Sequence, residues 1–185
     1  MKPLLPVSCL LLLLWLSKIK GVAACSQDCS SINVTVTTTT ITIFSVNFTI
    51  SNVTYADDQR WANHSLEKTT ISKLEPGVKY TVTLSFNNGT CCKNITTKPS
   101  PVFDIQIENI NTTAVSLRWK INDTVASEYT YRIRVEGNGT SSEVTTTTNA
   151  TNTVIAGLEP GTLYNFTLYS QVADDKTEGD PFSRS

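Results

Sequence analysis

The phrase Leu-Glu-Pro-Gly-x-x-Tyr occurs twice in this chain, within KLEPGVKYTVTLSF at residues 73–86 and within GLEPGTLYNFTLYS at residues 157–170. The copies align without a gap, Leu74 on Leu158 and Tyr80 on Tyr164. Repetition on this scale restricts the chain to two versions of one folding unit. Each copy opens on a Pro-Gly turn, Pro76-Gly77 or Pro160-Gly161, and then alternates. Tyr80, Val82, Leu84 and Phe86 alternate with Thr81, Thr83 and Ser85; Tyr164, Phe166 and Leu168 alternate with Asn165, Thr167 and Tyr169. A period of two is that of a β-strand with one buried face and one wet face.

The same period runs through the rest of the second half. Phe103, Ile105 and Ile107 alternate, as do Val115, Leu117 and Trp119, and then Tyr129, Tyr131, Ile133 and Val135; Val154-Ile155 leads into Leu158. Between these runs lie Asn111, Asn122, Asn138-Gly139 and Asn149, all turn-type residues. Short strands at this spacing, with no helical period, predict a β-sandwich. In the first half Ile41, Ile43 and Phe44 are the candidate core residues of the second strand, and Trp61 lies in a polar stretch. Phe44 to Tyr80 is shorter than Trp119 to Tyr164, which predicts a trimmed strand or loop.

Residues 1–24 read as a separate object. Lys2, an apolar core from Leu10 to Leu16, and the small residues Val22, Ala23 and Ala24 form the pattern of a secretory signal peptide cut after Ala24. The apolar run falls short of the roughly 20 residues that span a bilayer. A retained signal anchor and a bacterial lipoprotein box at Val22 to Cys25 are the rival readings. Asn33, Asn47, Asn52, Asn63, Asn88, Asn94, Asn111, Asn122, Asn138, Asn149 and Asn165 each begin an Asn-x-Ser/Thr triplet without proline, so a eukaryotic secreted glycoprotein is expected. Loss of the leader removes Lys2, Lys18 and Lys20, and takes the formal charge from −1 to −4. Cys9 leaves with it. Cys25, Cys29, Cys91 and Cys92 remain, an even number in an oxidising compartment. Because neighbouring cysteines rarely bond to each other, two bridges between the Cys25/Cys29 pair and the Cys91/Cys92 pair are expected, their connectivity open. Each would close a loop of roughly 60–70 residues and contribute about 4 kcal/mol on the chain-entropy account. A zinc site is the alternative, disfavoured because no histidine lies near these cysteines.

Trp119 on the second strand, an aliphatic strand with Tyr131, and Leu158-x-Pro160-Gly161-x-x-Tyr164 entering the sixth strand resemble the fibronectin type III family. The wording SPVFDIQIENINTTAVSLRWKINDTVASEYTYRI and LEPGTLYNFTLYSQVADDKTEGDP is similar to the repeats of receptor-type tyrosine phosphatase ectodomains. The resemblance implies that Trp119 fills the core and that Tyr164, with Tyr80 as its counterpart, forms a tyrosine corner bonded to the backbone before its strand. It also implies that Cys25/Cys29, opening the first strand, and Cys91/Cys92, opening the last, share one pole. The expected fold is all-β: a signal peptide at 1–24, a divergent, disulfide-stapled fibronectin type III-like sandwich at 25–98, and a fibronectin type III sandwich at 99–185. That second sandwich is expected to be C-terminally incomplete, with most of its last strand missing, as in a fragment or a short product.

Charged residues make up only 17% of the chain and form no basic block, which gives nucleic-acid binding little support. The sole histidine, His64, lies inside the Asn63 triplet. No nucleophile elbow, phosphate loop or metal-ligand spacing occurs, and no cysteine has the setting of a phosphatase nucleophile. Asp57-Asp58 and Asp174-Asp175 read as solvated loops, because neighbours on a strand face opposite ways. No enzyme activity, cofactor, metal or membrane span is expected of this chain. The expected role is an extracellular glycosylated interaction module for a protein or matrix ligand, with a short secreted decoy or ligand and a glycan-coated spacer as alternatives. A cytokine-receptor-like pair is weaker, since no Trp-Ser-x-Trp-Ser box is present. Tyr169, Arg132 and Arg134 are the candidate contact residues.

Overall fold

The computed structural model describes residues 25, 27–29, 31–45, 47–57, 59–173 and 176–184. The expected leader at 1–24, together with Asp58, Asp174 and Asp175, lies outside the described residues. Among the described residues the fold is all-β, with a single 3-10 turn at Ala126–Glu128.

The first sandwich contains β1 (Gln27–Asp28), β2 (Asn33–Val36), β3 (Ile41–Phe44), β4 (Thr49–Tyr55), β5 (Ser65–Glu67), β6 (Thr70–Ser72), β7 (Lys79–Phe86) and β8 (Gly89–Thr96). They form two four-stranded sheets, ordered β2-β3-β6-β5 and β1-β8-β7-β4. The second contains β9 (Phe103–Ile110), β10 (Ala114–Lys120), β11 (Tyr129–Gly137), β12 (Thr140–Thr145), β13 (Asn152–Ala156), β14 (Tyr164–Val172) and β15 (Phe182–Arg184). Its sheets run β13-β10-β9 and β12-β11-β14-β15. The last strand is short but present, pairing Phe182–Arg184 with Phe166–Leu168.

The inward positions of these strands make one core per sandwich. Ile41, Ile43, Val53, Ile71, Tyr80, Val82 and Leu84 are buried in the first; Leu117, Trp119, Tyr129, Tyr131, Ile133, Phe166 and Leu168 are buried in the second. Trp119 packs against Tyr131 at a centroid distance of 5.0 Å, a tilted aromatic pair worth about 0.5–1.5 kcal/mol beyond its burial.

The repeated phrase performs the same local task twice. The Glu75 N–H donates to the Tyr80 hydroxyl oxygen at 2.9 Å, and the Glu159 N–H donates to that of Tyr164 at 3.0 Å. The Leu74 N–H bonds the Thr39 carbonyl at 3.1 Å, and the Leu158 N–H bonds that of Thr113 at 2.9 Å. The loop before β7 or β14 is thereby tied to its own strand and to the hairpin of the opposite sheet. Gly77 and Gly161 have φ of 68° and 72°, the left-handed region that glycine enters without strain.

Several expectations need correction. Ile41 and Ile43 are core residues, but Phe44 faces solvent. Ile41 pairs with Ile71 as Val115 pairs with Ile155, so the position of Trp119 falls on half-buried Ser45. The buried bridge Cys29–Cys91 joins this tryptophan-free core. The predicted trimming is a change of sheet. In the second sandwich the strand after β11 returns as β12 on β11. In the first, the chain after β4 makes one bridge at Trp61 and then crosses to pair as β5 on β6. The cysteine segment does not open the first strand of β2's sheet: β1 adds in parallel to the edge of β8, bringing Cys25 to Cys92 and Cys29 to Cys91 with Cα separations of 5.5 and 5.6 Å. Thr83 and Thr167, placed on wet faces by alternation, are buried between flanking strands. Phe103 turns outward because Asp104, at φ 53°, introduces a bulge against β10.

Three measurable outcomes are expected from these contacts. Tyr80→Phe leaves a partly buried N–H without an acceptor and is expected to cost about 1–2 kcal/mol, whereas Tyr164→Phe, at a more exposed corner, costs about 0.5–1 kcal/mol, both read from urea unfolding. Burial, opposed by the Glu75 N–H bond, pushes the Tyr80 phenol from 10.0 up to about 12. Its contribution is therefore complete below pH 10 and fades as pH climbs to 12, and Tyr80→Phe removes that part of the alkaline loss. Cys25 is exposed and Cys92 half-buried, whereas Cys29 and Cys91 are buried, so limited reduction and alkylation is expected to label Cys25 and Cys92 first.

Candidate functional site: the domain joint and the exposed faces

The two sandwiches meet where the first Leu-Glu-Pro-Gly turn touches the base of β11. The Tyr129 hydroxyl shares its proton between Asp123 Oδ2 at 2.9 Å and the Pro76 carbonyl at 3.2 Å. Asp123 Oδ2 also accepts from the Ser100 N–H at 2.7 Å, which fixes the linker. Glu75 accepts from the Tyr55 hydroxyl at 2.7 Å and from the Thr124 hydroxyl at 3.3 Å. Burial first, and then the bond to Asp123, push the Tyr129 phenol far above its usual range, so it stays a neutral donor. Lys98 and Asp180 pair at 3.0 Å on the exposed rim, a contact worth little by itself. A 360 Å³ cleft beside the joint is lined by Asp57, Glu75 and Glu128 against Arg60 and Lys79. It combines opposite charges and contains no cysteine or histidine.

The glycines of the two phrases separate their roles. A Cβ on Gly77 would lie 1.8 Å from the Tyr129 hydroxyl, while one on Gly161 would meet nothing within 4 Å. Lys79 of the first phrase lines the cleft; its counterpart Leu163 is 82% exposed.

Of the expected contact residues, Arg132 is held internally. Its Nε and Nη2 donate to Glu178 at 2.6 and 3.0 Å, its Nη1 to Glu143 at 2.6 Å, and its guanidinium stacks 4.0 Å from the Tyr169 ring centre. Hydrogen bonding to Glu178 is the main cause that holds the Arg132 charge above its usual range, and hydrogen bonding from Arg132 holds Glu178 below the usual carboxylate range. Arg134 is exposed but paired with Glu136 at 2.7 Å. This face is therefore a self-satisfied ionic patch, and it carries Asn165.

The opposite face was not singled out by residue pattern. On the outer side of β13-β10-β9, Arg118 pairs with Glu108 at 2.8 Å and Lys120 with Asp104 at 2.7 Å, beside Val154, which is 62% exposed. Alternation marks these positions only as wet; register is needed to see that they form one face without a glycosylation triplet.

The triplets themselves are mostly accessible. Asn33, Asn47, Asn63, Asn88, Asn94, Asn111, Asn122, Asn138 and Asn149 are exposed, most of them in turns or at strand ends. Asn52 and Asn165 are half-buried in β4 and β14, and Asn52 Oδ1 has no hydrogen-bond partner. The ring of His64 donates through Nδ1 to the Ala62 carbonyl at 2.7 Å, a local structural bond. Among the described residues no group of three acidic, histidine or cysteine side chains is placed to hold a metal, and no helix is long and apolar enough to cross a membrane.

Two sandwiches with tyrosine corners, and among the described residues no cluster able to hold a metal, define a fibronectin type III-like β-sandwich fold. Residues 98–184 match the fibronectin type III domain family, and part of the chain is similar to receptor-type tyrosine phosphatases. It is 42% identical over 118 residues to receptor-type tyrosine-protein phosphatase eta of Gallus gallus, a match covering 60% of this chain and 8% of that protein. It is 40% identical over 119 residues to the eta protein of Homo sapiens, covering 61% and 8%. Receptor-type tyrosine-protein phosphatase H of Homo sapiens is 32% identical over 108 residues, covering 55% and 10%. The chain thus spans a tenth or less of the length of these curated relatives. A two-domain fibronectin type III segment of chicken tenascin superposes with a TM-score of 0.54 at 21% identity, covering 83% of this chain and 95% of that one, a likeness of fold.

The joint makes a sharp prediction. Gly77→Ala drives a methyl into Tyr129 at a left-handed position and is expected to cost about 2–4 kcal/mol and loosen the two sandwiches, while Gly161→Ala carries only the backbone cost of about 1 kcal/mol. Unfolding and small-angle scattering of both variants check this.

Proposed function

We propose that this chain is an N-glycosylated extracellular interaction module, secreted by removal of residues 1–24, whose two sandwiches divide at 98/99 and present the outer face of β13-β10-β9 to a protein or matrix ligand. The likeness to receptor-type phosphatases supports a receptor-like extracellular setting. The role proposed for this stretch is recognition, with no catalysis of its own. The observation that carries the reading is the distribution of Asn-x-Ser/Thr triplets. In the second sandwich they fall between strands, at Asn111, Asn122, Asn138 and Asn149, and in β14 at Asn165, while β9, β10 and β13 contain none. That face offers Arg118, Lys120, Glu108 and Val154, with no triplet inside its three strands. Exposed ion pairs of this kind contribute little to stability, so they are available to re-pair with a partner.

One substitution tests this. Val154→Thr completes a new Asn-x-Thr triplet that begins at Asn152, and thereby places a glycan on the bare face, since Asn152 is exposed and pairs with Arg118 on β10. Binding of the secreted chain to extracellular matrix and cell surfaces, followed by flow cytometry, is expected to fall at least about ten-fold, the loss of roughly 1.4 kcal/mol or more. Asn149→Gln, which removes a triplet from a nearby turn, leaves binding unchanged. Equal binding by the Val154→Thr variant with Asn152 occupied would count against this face as the contact surface.

A further inference from the structure

Two aromatic rings of the first sandwich stand largely in solvent. Trp61 is 66% exposed and Phe44 is 57% exposed. A large exposed ring is ordinarily a liability or a contact. Each of these lies on the same face as an exposed asparagine of a glycosylation triplet.

For Trp61 the relation is local. The Ala62 N–H bonds the Val53 carbonyl at 3.1 Å, and Trp61 bridges Thr54, so the segment runs along the edge of β4. Ala62 is buried in the core while Trp61 and Asn63 on either side are exposed. In extended chain, residues two apart share a face and lie roughly 6.8 Å from each other. For Phe44 the relation is across strands. Asn33 and Phe44 are direct partners in the β2–β3 pairing, both exposed, while the neighbouring pair Val34 and Ile43 turns inward. Directly opposed residues of an antiparallel pair hold their Cβ atoms about 4.5–5.5 Å apart. By contrast Val154, also exposed, faces Ser116 and no triplet.

We propose that Trp61 and Phe44 are seats for the chain's own sugars, Trp61 for the first N-acetylglucosamine on Asn63 and Phe44 for that on Asn33. Attachment from a lipid-linked diphospho-oligosaccharide forms a bond from Asn Nδ2 to the sugar's anomeric carbon. The diphosphate leaves with the electron pair of the broken C–O bond, and Nδ2 loses one proton. The β-linked sugar presents a flat face of axial C–H groups. Those weakly positive hydrogens fit the negative face of an aromatic ring, and stacking withdraws apolar surface of both from water. The occupant of each ring is thus covalently supplied by the same chain, at a distance that one pyranose spans.

The inference rests on the glycoprotein reading, and the test separates the two. The full chain is secreted from a glycosylating eukaryotic cell, and the occupancy of Asn33 and Asn63 is read by glycopeptide mass spectrometry. Trp119 is buried, so acrylamide quenching of the mature protein reports Trp61. Trimming every glycan to a single N-acetylglucosamine is expected to leave quenching unchanged. Complete removal by an amidase raises it about two-fold, as a second ring face opens to solvent. In a mutant cycle, Asn63→Gln lowers Tm by about 2–4 °C in the parent protein but not beside Trp61→Ala, and Asn33→Gln behaves likewise with Phe44→Ala. Asn52→Gln, on the half-buried neighbouring triplet, leaves Trp61 quenching as it was. An unoccupied Asn63 overturns this inference and the glycoprotein reading at that site together. Occupied sites with additive Tm changes and unaltered quenching overturn the ring–sugar contact alone.

Discussion

A backbone N–H donating to a tyrosine hydroxyl five residues downstream holds this molecule in shape. The bond from Glu75 to Tyr80, and from Glu159 to Tyr164, closes the turn that carries the chain from one sheet of a sandwich to the other. Without it, the crossing loop would expose a polar group at the lip of the core and the following strand would lose its register point. Leucine at the start of the phrase adds a second tie, to the hairpin of the opposite sheet. Both ties are made by residues fixed relative to one another in sequence, which is why the phrase recurs as a unit while the rest of the two sandwiches diverges.

The divergence has a physical order. The second sandwich has Trp119 packed on Tyr131 as its central volume. The first has no equivalent, and half-buried Ser45 stands where the indole would be. It compensates through connectivity: the segment after β4 crosses to widen the β2-β3-β6 sheet, β1 extends the other sheet, and two bridges tie β1 to β8. A bridge closing a 62- or 67-residue separation contributes about 4 kcal/mol by restricting the unfolded chain, comparable to what a well-packed tryptophan contributes, for which truncation to alanine costs about 3–5 kcal/mol.

Much of this was legible in the sequence, because alternation and the repeated phrase report burial and turn chemistry directly. The buried faces of β7, β11 and β14 and the corner tyrosines follow from those two signals. What escaped involves pairing between distant segments. Alternation cannot say which sheet a strand joins, so the transfer of β5 and the parallel addition of β1 were invisible. Nor can it register a strand boxed in by neighbours on both sides, which is why Thr83 and Thr167 proved buried. Phe44 misled for a related reason: it follows Ile43, and a run of apolar residues at a strand's end does not show which of them turns away. Arg132 was correctly placed outward, but its three carboxylate contacts come from β12 and the segment before β15, elements with no sequence mark of their relation to it.

The pattern of the exterior has a single cause. With few charged residues available, the chain cannot guard its sheet edges mainly with lysine and glutamate, the usual protection against strand-to-strand association. Other devices stand there instead. The edge strand β9 carries the ion pairs from Asp104 and Glu108 and a bulge; β4 is overlaid by the Arg60–Ala62 segment; β2 presents Asn33. A branched sugar is too large to fit between hydrogen-bonded strands about 4.8 Å apart, so carbohydrate at Asn33 would block pairing at β2 more completely than a charge could. On the proposed reading, threonine and asparagine enrichment, low charge and exposed rings beside triplets belong together: covalent sugar would do the work that surface charge performs elsewhere and would leave the outer face of β13-β10-β9 free for contact.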